Sequence, residues 1–150
     1  MKKTIYIHYG SNAFDRGTFR NVFNVPARNK PDGGLWASRI DSPYGWLQWC
    51  NENDFRTESF TEAFRFSLSN TAKVLEIHSV ADTKLIESQE KPGWYILNDI
   101  IPDFEKMKKN YDAIELFLSD DWNLYYALYG WDCDCILIMN PEIIIPLTVL

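Results

Sequence analysis

Neither of the common phosphate-loop signatures occurs in this chain. It has no Gly-Lys-Ser/Thr loop and no Gly-x-Gly-x-x-Gly, which argues against a Walker or Rossmann nucleotide site. Cysteine is scarce: Cys50, Cys133 and Cys135. An odd count, with two thiols alternating along one segment, argues against a disulfide framework. Cys133-x-Cys135 lacks zinc-finger spacing, and no second Cys/His pair stands nearby to complete a tetrahedral site, so no metal is expected. Reduced thiols in a cytoplasmic protein are the expectation. No segment approaches the ~20 apolar residues of a membrane span, and the start, Met1 to Tyr6, lacks the apolar stretch of a signal peptide. No membrane role is expected. Repeats, low-complexity tracts and linkers are also missing, and the 150 residues suit one domain over 1–150.

Excess positive charge is absent too. The net charge of -6 argues against a broad phosphate-binding surface, though not against nucleic acid as a substrate in a small pocket. Arg16, Arg20, Arg28 and Lys30 form either a local basic patch or a solvated loop. What the chain has in plenty is rings. Aromatics make up 15% of it, with 6 Trp, more than a core of this size needs. Some of them are therefore expected to line a groove or pocket.

Residues 4–9 read as a first strand, rich in β-branched and aromatic side chains. Asp15 to Val25 has the spacing of a short helix, with Phe14, Phe19, Val22 and Phe23 on one face. Pro26, Pro31, Gly33 and Gly34 make a loop, and Leu35 to Ser38 a short strand. Asp41-Ser42-Pro43 signals a helix start, with the helix over about Tyr44 to Asn51. Thr61 to Leu68 is strand-like or weakly helical. Ala72 to Val80 alternates as a half-buried strand, Ala81 to Glu90 is a helix or turn, and Trp94 to Leu97 is extended. Ile101 to Asn110 carries the charge gradient of a helix. Tyr111 to Leu118 reads as a strand, Asp120 to Tyr129 as a short helix and Cys133 to Met139 as a buried strand. Ile143 to Leu150 is a last strand, placed at an edge by Pro146. Strands mixed with short helices, without βαβ alternation, mean an α+β domain.

Three constellations carry chemistry. The first strand delivers His8-Tyr9-Gly10-Ser11, an imidazole followed by backbone able to approach a ligand closely. His78, the other histidine, lacks such neighbours and reads as structural. Second, Gly33-Gly34-Leu35-Trp36-Ala37-Ser38 leads into a ring-dense stretch with Tyr44, Trp46 and Trp49. Trp46 and Trp49, three apart on a helix, share a face that offers stacking to a planar heterocycle; a Trp-rich core layer is the competing reading. Third, Asp132 and Asp134 enter an apolar strand at alternate positions and so point to one face. A carboxylate there suits a ribose hydroxyl and an oxocarbenium-like centre. Asp132, Asp134 and Glu142 all stay open as the acid that faces the cleft.

The order of these stretches resembles the ADP-ribosyltransferase superfamily, in particular its diphtheria-toxin and poly(ADP-ribose) polymerase branch. That branch carries His-Gly-Ser, then Gly-Ile-Tyr-Phe-Ala, then Glu-Tyr-Ile-Val-Tyr-Asn-Pro. Here the counterparts are His8-Tyr9-Gly10-Ser11, Gly34-Leu35-Trp36-Ala37-Ser38 and Asp134-Cys135-Ile136-Leu137-Ile138-Met139-Asn140-Pro141. An extra Tyr9 separates His from Gly, Trp replaces Tyr, and the family's Glu counts back to Cys135 unless a one-residue bulge intervenes.

The resemblance implies a split β-sheet core with short flanking helices, and NAD as substrate. It implies His8 on a ribose hydroxyl, the backbone of Tyr9 or Gly10 on the nicotinamide amide, and Ser11 and Ser38 beside them. Trp36 and either Trp49 or Trp46 would sandwich the nicotinamide, with Asp134 as the acidic residue. The implied reaction cleaves the nicotinamide–ribose bond and passes ADP-ribose to a protein or nucleic-acid acceptor, as a toxin or defence effector with an antitoxin or chaperone partner would. Two other readings use the same residues: a module that binds NAD or ADP-ribose without turnover, and a protein-interaction domain with exposed tryptophans.

Overall fold

The computed structural model describes residues 2–56, 60–97 and 99–148. It is an α+β fold built on a seven-stranded mixed sheet of order β4-β5-β6-β2-β1-β3-β7. The strands are β1 (Tyr6–Tyr9), β2 (Leu35–Arg39), β3 (Ala63–Leu68), β4 (Val74–Ile77), β5 (Ala113–Leu116), β6 (Cys135–Ile138) and β7 (Ile144–Pro146). Every ladder is antiparallel except β4 with β5. Among the described residues three short α-helices flank it: α1 (Trp46–Glu52), α2 (Phe104–Met107) and α3 (Leu124–Ala127). None of the helices in the described residues is long and apolar enough to cross a membrane.

Alternation decides which side chains meet. Ile136 and Ile138 point to one face of β6 and join Tyr6, Phe64, Phe66 and Ile144 in one apolar cluster. Leu137 points to the other face and joins Ile114, Leu116, Phe104 and Trp131. A side chain of this size, fully buried, contributes roughly 1.5–3 kcal/mol.

The feature that positions the site is a parting in the sheet. β1 and β2 pair only at Tyr6↔Arg39 and Ile7↔Ser38. Beyond that point β1 continues with β3, through His8↔Phe64 and Tyr9↔Ala63. β2 continues instead with β6, through Leu35↔Ile138 and Trp36↔Leu137. The two strands diverge just where His8 and Trp36 stand. The Gly33-Gly34 turn that opens β2 needs glycine: both have positive φ, and a Cβ on Gly33 would overlap the Asn21 carbonyl oxygen.

Several elements are shorter than their sequence patterns. The helix expected over Asp15 to Val25 is a single 3-10 turn, Arg16–Thr18. Its four apolar residues do not share a face: Phe14 and Phe19 pack on one cluster, Val22 on the other, and Phe23 is exposed. A bridge between Phe23 and Asp32 pulls this stretch into extended backbone instead. The helix over Ile101 to Asn110 begins only at Phe104, where the Asp103 carboxylate accepts from the Lys106 amide. Trp94 to Leu97 pairs with no strand among the described residues. β7 does lie at a sheet edge, as Pro146 requires.

Truncation should separate the two environments. Leu137→Ala removes a fully buried side chain and is expected to cost about 2–5 kcal/mol in urea unfolding. Ile96→Ala, at 89% exposure, should leave the midpoint within about 0.5 kcal/mol of the parent.

Candidate functional site

Where β1 and β2 part, the His8 ring takes the place of the missing ladder bond. Its Nδ1 lies 2.6 Å from the Trp36 carbonyl oxygen. A carbonyl only accepts, so Nδ1 carries the hydrogen and donates. In the neutral ring Nε2 is then left as an acceptor for a ligand hydroxyl. Phe64 supports the imidazole, with ring centroids 5.2 Å apart.

Two hollows are lined by both His8 and Trp36. The larger has a volume of about 270 Å³ and is also lined by Tyr9, Ser38 and Trp46. The second, about 260 Å³, is lined by Ser11, Thr18 and Arg20 among others. Each falls just below the usual ~300–1,000 Å³ of a small-molecule site.

The larger hollow has aromatic walls. Trp36 meets Trp131 edge to face at 4.8 Å. Trp131 in turn lies parallel to Phe104 and donates from Nε1 to the Asn29 carbonyl at 2.6 Å. The ring is thus fixed by the core behind it. Trp46 stacks on Trp49 at 5.2 Å and 12°, so the shared helix face expected from their spacing is present. Burial raises the Tyr9 hydroxyl above its ordinary pKa, and the Arg65 charge opposes the shift.

The carboxylates do not behave as their alternate spacing implies. β6 begins only at Cys135, so strand alternation does not govern Asp132 and Asp134, and their side chains diverge. Asp134 is buried, and both its oxygens are engaged. They accept from the Ser119 amide (2.8 Å), the Ser119 hydroxyl (2.6 Å) and the Ser42 hydroxyl (2.8 Å). Asp134 is not among the residues that line either hollow.

The acid that lines the larger hollow is Asp132. Burial pushes its carboxyl above the ordinary value, while the Lys30 ammonium, 3.8 Å away, pulls it back down. Lys30 also lies 5.9 Å from the Trp36 ring centroid. Glu142 pairs with Arg16 at 2.8 Å, on the exposed surface.

The other expected residues divide. Ser38 lines the larger hollow, but its hydroxyl is committed, donating to the Asp134 carbonyl and accepting from the Trp46 amide. Ser11 donates to the Ala13 carbonyl and lines the second hollow. Gly10 donates its amide to Glu62, and Trp49 lies behind Trp46; neither is among the described lining residues. His78 stacks on Phe117 at 4.0 Å and bonds Asp120, outside both hollows.

Sequence reasoning missed Trp131 and Arg56 as lining residues and took Lys30 as part of either a basic patch or a solvated loop. Trp131 had a signal, because it immediately precedes the acidic pair. Arg56 had none. Arg16, Arg20 and Lys30 of that patch are ion-paired, with Glu142, Asp32 and Asp132. All three cysteines are unbridged. A hydrogen bond with Cys133, reinforced by burial, holds the Cys135 thiol well above its ordinary pKa and keeps it protonated.

In comparisons with known proteins, no family model, curated protein or solved structure matches the chain.

The two aspartates should separate by readout. Asp134→Ala strands the Ser42 and Ser119 donors and is expected to cost on the order of 3 kcal/mol of stability. Asp132→Asn keeps shape and is expected to stay within about 1 kcal/mol of the parent in the same urea titration. Equal losses in the two variants would contradict this division of labour.

Proposed function

We propose that the protein is an NAD-cleaving enzyme of the ADP-ribosyltransferase type, in which Asp132 holds the acidic role that sequence order suggests for Asp134. One observation carries the reading. An imidazole on β1, an indole on β2 and a carboxylate in the turn leading into β6, three neighbouring strands of the sheet, line one aromatic hollow. A second hollow is also lined by His8 and Trp36. The parted strands fit the split sheet of that superfamily, and the paired hollows suit a dinucleotide better than a single small ring.

The residues suit such a substrate in chemistry as well as in size. Nicotinamide stacks on indole faces, here those of Trp36 and Trp46. The free Nε2 of His8 accepts from a ribose hydroxyl. Lys30 and Arg56 in the larger hollow, and Arg20 in the second, offer positive charge to the diphosphate.

The reaction is dissociative. The bond between C1′ and the nicotinamide nitrogen breaks, and nicotinamide leaves with the electron pair. Positive charge develops on the ribose, and the Asp132 carboxylate stabilises it within a partly water-excluded site. The acceptor, or water, then adds to C1′ and releases a proton.

The test follows nicotinamide release from NAD. His8→Ala and Asp132→Ala should each lower it about 100-fold or more. The pH profile supplies an independent check. Asp132 must be ionised, and its pKa is raised. Activity should therefore fall, as pH drops, at a point above the ordinary carboxylate value of about 4. Lys30→Met removes the cation that opposes the shift, so the acid limb should move to still higher pH. An acid limb that stays put in Lys30→Met would remove Asp132 from the mechanism.

A second reading is a module that holds NAD or ADP-ribose without turnover. The hydrogen bonds of Asp134 favour it, because both oxygens of the acid at the motif position are already engaged within the protein. Saturable quenching of Trp fluorescence by NAD, with no nicotinamide released, would establish that reading instead.

A further inference from the structure

The second histidine, outside both hollows, sits in a charged cluster that NAD cleavage does not use. His78 follows the last residue of β4, and its half-exposed ring lies parallel to Phe117 at 4.0 Å. Both ring nitrogens face carboxylates, and these come from two different elements. Nδ1 stands 2.7 Å from Asp120 of the 3-10 turn Leu118–Asp120, and Nε2 stands 3.3 Å from Glu76 of β4. A neutral imidazole carries one hydrogen, so one nitrogen would turn a lone pair toward a carboxylate. Only the imidazolium donates to both. The ring therefore has two states, and the charged one ties the turn to β4.

The surrounding charges favour that state. Asp82, in the 3-10 helix Val80–Leu85, accepts from the His78 and Ser79 amides, and Asp121 accepts from the Val80 amide. Arg39 on β2 is the opposing cation. It stands 3.7 Å from Glu76 and 4.8 Å from the Phe117 ring centroid, but its closer contact is with Glu115 on β5, at 2.6 Å. Burial disfavours charging the His78 ring. The Asp120 and Glu76 carboxylates, by hydrogen bond and by charge, outweigh burial and raise its pKa.

The turn held by this ring also supports the wall of the larger hollow. Ser119, beside Asp120, donates its amide and its hydroxyl to Asp134. The Asp134 carbonyl accepts from Ser38, whose hydroxyl oxygen accepts from the Trp46 amide. Trp46 lines the hollow. The turn has other anchors: Leu118 is buried, and the Phe117 amide donates to the Ile77 carbonyl. Losing the imidazolium bonds therefore loosens the turn without unfolding the chain.

We infer that His78 is a pH-operated clasp on the hollow. Charged, it fastens the Leu118–Asp120 turn to β4 and keeps Ser119 on Asp134; neutral, it lets that support of the aromatic wall loosen. A histidine whose pKa rises on folding adds stability that is fully present below its unfolded pKa of about 6.5. That stability fades as pH rises through the folded pKa. Because the ring is half-exposed, screening keeps the effect modest.

The test reads the ring and the turn separately. The chain has two histidines, so His78→Gln assigns their ring resonances in an NMR titration. His78 is expected to titrate above about 6.5, and Asp120→Asn should bring it back toward that value. The hydrogen-exchange protection factor of the Ser119 amide should fall at least about threefold between pH 6 and pH 8 in the parent protein. In His78→Gln it should be the same at both pH values. Asp120→Asn, in which the fall should shrink, serves the same comparison if His78→Gln does not fold.

A His78 ring that titrates at or below the ordinary value would overturn the inference. Ser119 protection that ignores the His78 titration would overturn it equally, because the clasp would then not reach the hollow. One consequence rests on the NAD-cleaving reading above: nicotinamide release should decline as pH rises through the His78 midpoint, and should not in His78→Gln. Release that ignores this midpoint would overturn the regulatory role. No release at any pH would reject the NAD reading alone, with the clasp still decided by Ser119 protection.

Discussion

The structure around the hollow depends on one buried carboxylate. Asp134 accepts from Ser42 and twice from Ser119, its amide donates to the Tyr44 carbonyl, and its carbonyl accepts from Ser38. Through these bonds it joins the approach to β6, the end of β2, the turn before α1 and the 3-10 turn at Leu118–Asp120. The Ser38 hydroxyl extends the network by accepting the Trp46 amide at the start of α1. That bond satisfies one of the unpartnered amides that every helix start leaves exposed. The wall of rings is therefore positioned by an acid that never reaches the cavity. Burying a carboxyl group is costly unless it is hydrogen-bonded, and a residue whose two oxygens already hold three donors is poorly suited to share one with a ligand.

Much of the fold can be read from pattern, and the reasons for the exceptions are physical. The strands at residues 6–9, 35–39, 74–77 and 135–138 follow their β-branched and alternating residues closely. The short helices were overread. Asp41-Ser42-Pro43 looks like a cap, yet Ser42 serves Asp134, and α1 starts later, after Gly45, whose amide donates to Gln48. Local propensity over four to seven residues is too weak to set such boundaries against tertiary bonds. Strand order is a non-local property, and nothing in the β1 segment announces that it will lie between β2 and β3.

The candidate site was half legible for the same reason. His8, Trp36 and Trp46 were visible as residue types in context, and strand adjacency brings them together. The two aspartates diverge, against their alternate spacing, because both precede Cys135, where the strand that enforces alternation begins. Lys30 read as part of either a basic patch or a solvated loop. Its meaning comes from Asp132 and Trp36, one of them a hundred residues away in sequence.

The parting of β1 from β2 itself needs an explanation, since diverging strands give up ladder bonds. The opposite end of the same pair supplies it. Arg39, paired with Tyr6, makes a two-pronged contact with Glu115 at 2.6 and 2.9 Å, and Tyr6 donates to the same carboxylate at 3.0 Å. Glu76, aligned with Glu115 in the β4–β5 ladder, stands 3.7 Å from Arg39. A polar row thus crosses the sheet from β1 to β4 at the end where the strands stay together. Such a buried pair adds little net stability over an apolar one, but it punishes any slip in register. With register held there, the far end of β1 is free to follow β3, and β2 to follow β6. The His8 ring closes the gap with one bond to Trp36. The opening between them is consequently a fixed property of the register, which gives a ligand site a preformed geometry and spares binding the entropic cost of assembling it.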